Sequence, residues 1–183
     1  MNYSELLRKA NDSKLLPSEA ALVLSALHRR EGDLYSLLLI LGRRGDPRDA
    51  PSIEPFLESH DDPMLARLAI QILCVYYDMA PRYVAELERF CRHVAWDIDN
   101  DARLMAISCA WRANDKGLLR LLLDTFEDAS EDRLVREAAY RSLGHAAGDK
   151  WDKLPSAAKH FDLERDINPE VISHVRRMLG DSD

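Results

Sequence analysis

No C-x-x-C pair joins the three cysteines, Cys74, Cys91 and Cys109. An odd, scattered set of thiols suits a reducing compartment better than a disulfide framework, so a cytoplasmic location is expected. Long apolar stretches are missing as well. The runs Ala20–Leu24 and Leu37–Leu41 are five residues each, whereas a helix that spans a bilayer takes about 20, so no membrane association is expected. The opening MNYSELLRKANDSK has neither the apolar centre nor the small-residue cleavage site of a secretion signal, and export is not expected. Cations are in the minority, with 25 Lys and Arg against 32 Asp and Glu and a formal charge of -7. That balance repels a phosphate backbone unless the cations cluster, which disfavours nucleic acid and favours a basic or neutral protein partner.

Signatures of catalysis are absent too. The chain has no G-x-S-x-G, no phosphate-binding loop and no dinucleotide fingerprint. Its histidines, His28, His60, His93, His145, His160 and His174, are far apart in sequence, so neither a metal site nor a cofactor is expected. Asp97-x-Asp99-x-Asp101 resembles the first half of a calcium loop, but Ala102 replaces the turn glycine and Ser108 stands where a bidentate Glu belongs. Capping of the following helix explains those acids better. Cys91 lies among Arg89, Arg92 and His93, which would activate an exposed thiol, yet between Phe90 and Val94 it reads as a core residue.

What is present is a repeat. Arg67-x-x-Ile70-x-x-x-Cys74, Arg103-x-x-Ala106-x-x-x-Ala110 and Arg136-x-x-Ala139-x-x-x-Leu143 share one spacing. Leu34, Leu37, Leu41 and Ile172, Val175, Leu179 repeat it without the arginine, so successive starts step by 33, 36, 33 and 36 residues. Offsets two, three, six and seven from each start are mostly apolar or small and fall on one helix face. Each segment therefore reads as the second helix of a pair, beginning near Leu34, Asp62, Asp101, Asp132 and Asn168. The first helices are expected at about Ser18 to Arg30, Ala50 to Ser59, Arg82 to Ala95, Lys116 to Glu127 and Pro155 to Phe161. Breakers separate them, among them Gly45-Asp46-Pro47, Asp62-Pro63, Ala80-Pro81 and Asn168-Pro169. No segment shows sustained period-two alternation, so no strand is expected.

Gly45-Asp46-Pro47-Arg48-Asp49-Ala50-Pro51-Ser52-Ile53-Glu54-Pro55-Phe56-Leu57, Asp61-Asp62-Pro63-Met64-Leu65-Ala66-Arg67 and Val135-Arg136-Glu137-Ala138-Ala139-Tyr140-Arg141-Ser142-Leu143-Gly144 resemble HEAT repeats, most nearly the phycobilisome-lyase-like kind. The likeness covers about residues 33 to 148. It implies an all-α protein, a right-handed α-solenoid of about five helix pairs, forming one domain over residues 1–183. Residues 1–17 would be an N-terminal extension, 18–148 four repeats, and 149–183 a C-terminal capping repeat.

The resemblance also implies a ladder of structural ion pairs, with Asp61 before Arg67, Asp97 before Arg103, and Arg136 served by Glu131 or Asp132 in place of Ser130. It implies a non-catalytic scaffold that holds a protein partner, and the small size and acidic charge would suit a specific version of it, an inhibitor or immunity protein that neutralises a basic bacterial toxin. Two other functions accompany the family: an enzyme accessory of the bilin-lyase kind, and nucleic-acid binding with Trp111, Trp151, Arg43 and Arg44 as tools. The His-Glu dyads of HEAT-like di-iron hydroxylases have no counterpart, since no His is followed directly by Glu.

At 100° per residue, offsets one, five and eight point away from the core, toward the concave surface of such a solenoid. They include Tyr35, Leu39, Leu68, Ile72, Leu104 and Trp111, which are apolar, and Arg141 and Arg177, which are charged. That stripe is either a binding face or is covered by the chain itself, for instance by an N-terminal helix around Ser4 to Asn11. Trp111, with Tyr140 and Arg141, is the expected centre of binding because Trp, Tyr and Arg dominate interface energetics.

Overall fold

A computed structural model describes residues 1–148, 162–163 and 165–181. Every regular element among them is helical, and none of these helices is long and apolar enough to cross a membrane. The residues form two compact units: Met1–Met79 with Trp96–Ala102, and Ala80–Ala95 with the chain from Arg103 onward.

The first unit holds α1 (Tyr3–Asn11), α2 (Pro17–His28), α3 (Leu34–Arg44), α4 (Ala50–Ile53) and α5 (Pro63–Gln71). Their boundaries follow local chemistry. The Asp33 carboxylate accepts the Ser36 N–H at 3.2 Å and starts α3, while Gly45 ends it in the left-handed region at φ 71°. Asp62 accepts the Met64 N–H ahead of Pro63 at the first turn of α5. Beyond Gln71 the helix widens into a π-type turn, Ile72–Tyr76. Val23, Leu37, Leu38, Ile40, Leu41, Ile53 and Leu68 are fully enclosed, and each such side chain contributes about 1.5–3 kcal/mol.

Two details set the packing of this unit. A Cβ on Gly42 would lie 2.7 Å from Ile72 Cγ1 and 2.9 Å from Tyr76 Cδ2, so α3 and the π turn approach closely only because that position has no side chain. After α3, the Arg44 guanidinium bonds both oxygens of Asp49, at 3.2 and 2.9 Å, and reaches Asp46 at 3.0 Å. Arg48 also bonds Asp46 and holds its carboxyl down at about 2, whereas burial pushes the Asp49 carboxyl up despite Arg44. The N-terminal helix α1 packs on α3, with Lys9 paired to Glu19 at 2.6 Å.

The second unit holds α6 (Val84–Cys91), the part of α7 (Asp101–Ala110) from Arg103 on, α8 (Lys116–Glu127), α9 (Arg133–Ala146) and α10 (Pro169–Leu179). A 3-10 turn, Trp111–Ala113, extends α7, and Asn114 breaks it at φ 50°. Asp115, Asp132 and Asn168 then cap α8, α9 and α10 through their side-chain oxygens. Packing of α8 on α9 forms the body of this unit. Helices α3, α5, α7, α9 and α10 begin within a residue of the five predicted starts. The predicted first helix of the last pair, Pro155 to Phe161, lies outside the described residues, as does Trp151.

Candidate functional site

In the second unit the end of α7, the start of α8, the end of α9 and Met178 of α10 surround a cleft of about 510 Å³. Its position follows from the break at Asn114. The 3-10 turn and the left-handed residue swing the chain from α7 into α8, leaving Trp111 half-buried beside the opening instead of beneath a following turn. The His145 ring lies against Trp111 with centroids 5.2 Å apart and planes tilted by 33°. Arg112 places its guanidinium carbon 4.8 Å from the centre of the Trp111 ring. Leu119 and Leu122, both buried, form an apolar floor with Met178, while Asp115 and Lys116 edge the opening.

A second recess, of about 430 Å³, is lined by Ala147, Asn168, Pro169, Glu170, Val171, Ser173, His174 and Arg177. The two recesses draw on consecutive residues at the end of α9, Ala146 and the cap residue Ala147, and within α10, Met178 and Arg177. Arg177 is exposed there, and Arg141 is half-buried with its guanidinium 3.9 Å from Glu137.

The expected binding stripe is only partly a surface. Leu68 and Ile72 are fully enclosed in the first unit, so a partner does not reach them there. For Leu68 the cause is the packing of α3 on α5; for Ile72 it is also the π turn, whose wider winding departs from the 100° step used to place that residue outward. Tyr140 is 1% exposed, with its ring 5.5 Å from Phe126 and its hydroxyl accepting the Asn168 N–H at 2.8 Å. That tyrosine orders the start of α10 from the interior and does not present a hot spot. Tyr35 remains 37% exposed, Leu39 and Leu104 are half-buried, and Trp111 lines the cleft.

The arginine ladder is uneven. Arg103, 8% exposed, donates from Nε to the Cys91 carbonyl at 3.0 Å and grips both Glu131 oxygens, at 3.1 and 2.5 Å. Its guanidinium lowers the Glu131 carboxyl, which takes the role expected once Ser130 replaced the aspartate. Arg136 repeats the first of those contacts, donating from Nε to the Phe126 carbonyl at 3.0 Å. Both arginines thus satisfy a carbonyl at the C-terminal end of the preceding helix, where a cation also offsets the helix dipole. Asp61 and Arg67 share no hydrogen bond or ion pair among the described residues, and Asp61 is exposed. Asp97 is fully buried and accepts the Ala102 N–H at 3.3 Å, so that acid of the calcium-like stretch is a helix cap.

All three cysteines are buried. Burial pushes Cys91 and Cys109 up to about 12, which makes them core thiols and leaves Cys91 without the activation its basic neighbours suggested. Residues that the sequence reading did not assign to a site are Lys116, Leu119, Leu122, His145 and Met178. Their one signal was the Asn114-Asp115 break after Trp111-Arg112, which ends one helix and opens another beside an aromatic residue. Comparison with family models, with curated proteins and with solved structures gave no match.

Proposed function

We propose that the chain is a non-catalytic scaffold of the HEAT-like α-solenoid kind, which holds a protein partner at the Trp111 cleft. The observation that carries this reading is the cleft itself. A half-buried tryptophan, flanked by an arginine and a histidine ring over an apolar floor, has the composition of an interface hot spot. Its volume of about 510 Å³ admits a side chain with its flanking backbone. The HEAT-like reading is supported by the recurring helix starts and by the shared role of Arg103 and Arg136. A net charge of -7 supports a partner that is basic overall, and inhibition of a basic toxin is the specific form of this proposal.

The test is affinity capture from the source cell with the wild-type chain and with Trp111→Ala, read by mass spectrometry alongside thermal unfolding. We expect one protein to be captured by the wild type and at least tenfold less by Trp111→Ala, at a similar unfolding midpoint. Equal capture by a folded Trp111→Ala would remove the cleft from the binding function.

A further inference from the structure

We infer that the first unit carries a docking surface of its own, the face of α3 that holds Tyr35, Leu39 and Arg43, and that it takes a short protein segment bearing a glutamate or aspartate beside an apolar side chain. This goes beyond the function proposed above and does not rest on the Trp111 cleft. The first ground is the state of Arg43. Its guanidinium carbon lies 4.8 Å from the centre of the Tyr76 ring. The side chain is exposed and forms no hydrogen bond or ion pair among the described residues. The next residue, Arg44, is by contrast bonded to Asp46 and Asp49. From Leu34 to Arg43 and from Gln71 to Tyr77, Arg43 is the one charged residue. Helix α1 also packs on α3, but the carboxylates there have cations close by. Glu5 pairs with Lys9 at 3.3 Å, and Asp12 with Arg8 at 3.5 Å and Lys14 at 3.7 Å. This face is thus locally positive in a chain of formal charge -7.

The second ground is that the cation is held in place. The Tyr76 ring packs on the backbone of α3 at Gly42, where an added Cβ would lie 2.9 Å from Tyr76 Cδ2. That ring gives Arg43 a fixed neighbour, and the guanidinium fork keeps its N–H donors for an acceptor from outside. A carboxylate matches the fork with two parallel N–H···O bonds. A donor set already positioned also loses less freedom on binding than a loose surface arginine does.

The third ground is the apolar surface alongside. Leu39 and Tyr35 stand four and eight residues before Arg43, which puts all three on one side of α3. Tyr35 is 37% exposed and Leu39 is half-buried. An apolar side chain laid over them excludes water beside the Arg43 contact and strengthens it. One cation is too few to track a phosphate backbone, which sets nucleic acid aside as the occupant.

The test uses the full chain with nitrogen-15 label and follows the Arg43 Nε–H signal, assigned with Arg43→Gln, together with the Gly42 amide. The probes are a blocked peptide centred on Leu-Glu-Phe, its Leu-Gln-Phe and Ala-Glu-Ala counterparts, sodium acetate and a single-stranded oligonucleotide. We expect the Leu-Glu-Phe peptide to shift both signals and to bind at least about tenfold more tightly than Leu-Gln-Phe, Ala-Glu-Ala or acetate. The preference for Glu over Gln is expected to vanish in Arg43→Gln at an unchanged unfolding midpoint, and to persist in Trp111→Ala.

Equal binding of the Glu and Gln peptides overturns the inference, as does the absence of a shift at millimolar Leu-Glu-Phe peptide or a preference that survives Arg43→Gln. Acetate or Ala-Glu-Ala binding as tightly as the Leu-Glu-Phe peptide would overturn it by making Arg43 a contact for any carboxylate, and a shift by the oligonucleotide alone would do so in favour of nucleic acid. Loss of the preference in Trp111→Ala would place the peptide at the cleft and also overturn it. If Trp111→Ala still captures the partner while the peptide preference holds, this inference stands and the proposed role of the cleft falls.

Discussion

Arg67 in the first unit and Arg103 in the second hold the same place in the repeat, six residues after Asp61 and Asp97, yet their surroundings are opposite. Arg67 is half-buried and takes part in no hydrogen bond or ion pair among the described residues. Arg103 is buried and spans a helix-end carbonyl 12 residues before it and a carboxylate 28 residues after it. In the first unit α3 closes on the π turn through the apolar approach at Gly42, and the buried Tyr77 hydroxyl donates to the Leu41 carbonyl at 3.1 Å, while Arg44 reaches Asp49 five residues on. The same place in the repeat is therefore used in two ways, by an arginine that makes no hydrogen bond or ion pair among the described residues in one unit and by an arginine that makes long-reach hydrogen bonds in the other.

The largest effect is expected at Arg103. Replacement by Ala leaves a buried carbonyl and a partly buried carboxylate without their donor, and should cost about 3 kcal/mol in urea unfolding. A loss below about 1 kcal/mol would mean that water substitutes for the guanidinium.

Gly42→Ala comes next. Alanine favours a helix by about 1 kcal/mol over glycine, but here its methyl meets the enclosed Ile72, and a net loss of about 2 kcal/mol is expected from overpacking. Unchanged or raised stability in the same unfolding measurement would show that α3 and the π turn can separate freely.

Arg136→Ala removes one carbonyl contact from a half-buried position and should cost about 1 kcal/mol. Arg67→Ala should change stability by less than about 0.5 kcal/mol. A loss at Arg67 equal to that at Arg103 would erase the distinction between the units.

Helix positions were legible because their signals are local. Caps such as Asp33, Asp62, Asp132 and Asn168 are side chains acting on their own next turn, and the apolar spacing marks the buried face of each helix. A replacement acid beside Ser130, either Glu131 or Asp132, was also legible, but that Arg103 takes Glu131 was not. Burial of the outward stripe was not, because a helical wheel gives a direction and does not say whether another element lies in that direction. Leu68 and Tyr140 face such elements. Ile72 and Trp111 lie where the helix changes to π and 3-10 winding, so the angular step itself departs from the α value there. The cleft was legible only at Trp111, since Leu119, His145 and Met178 come from three other helices.

Amide hydrogen exchange of the chain alone and bound to its captured partner tests the central claim most directly. The account predicts that binding slows exchange in the turn from Trp111 to Lys116 and at His145 and Ala146. Slowing confined to the first unit, with that turn exchanging as fast as in the free chain, would contradict it.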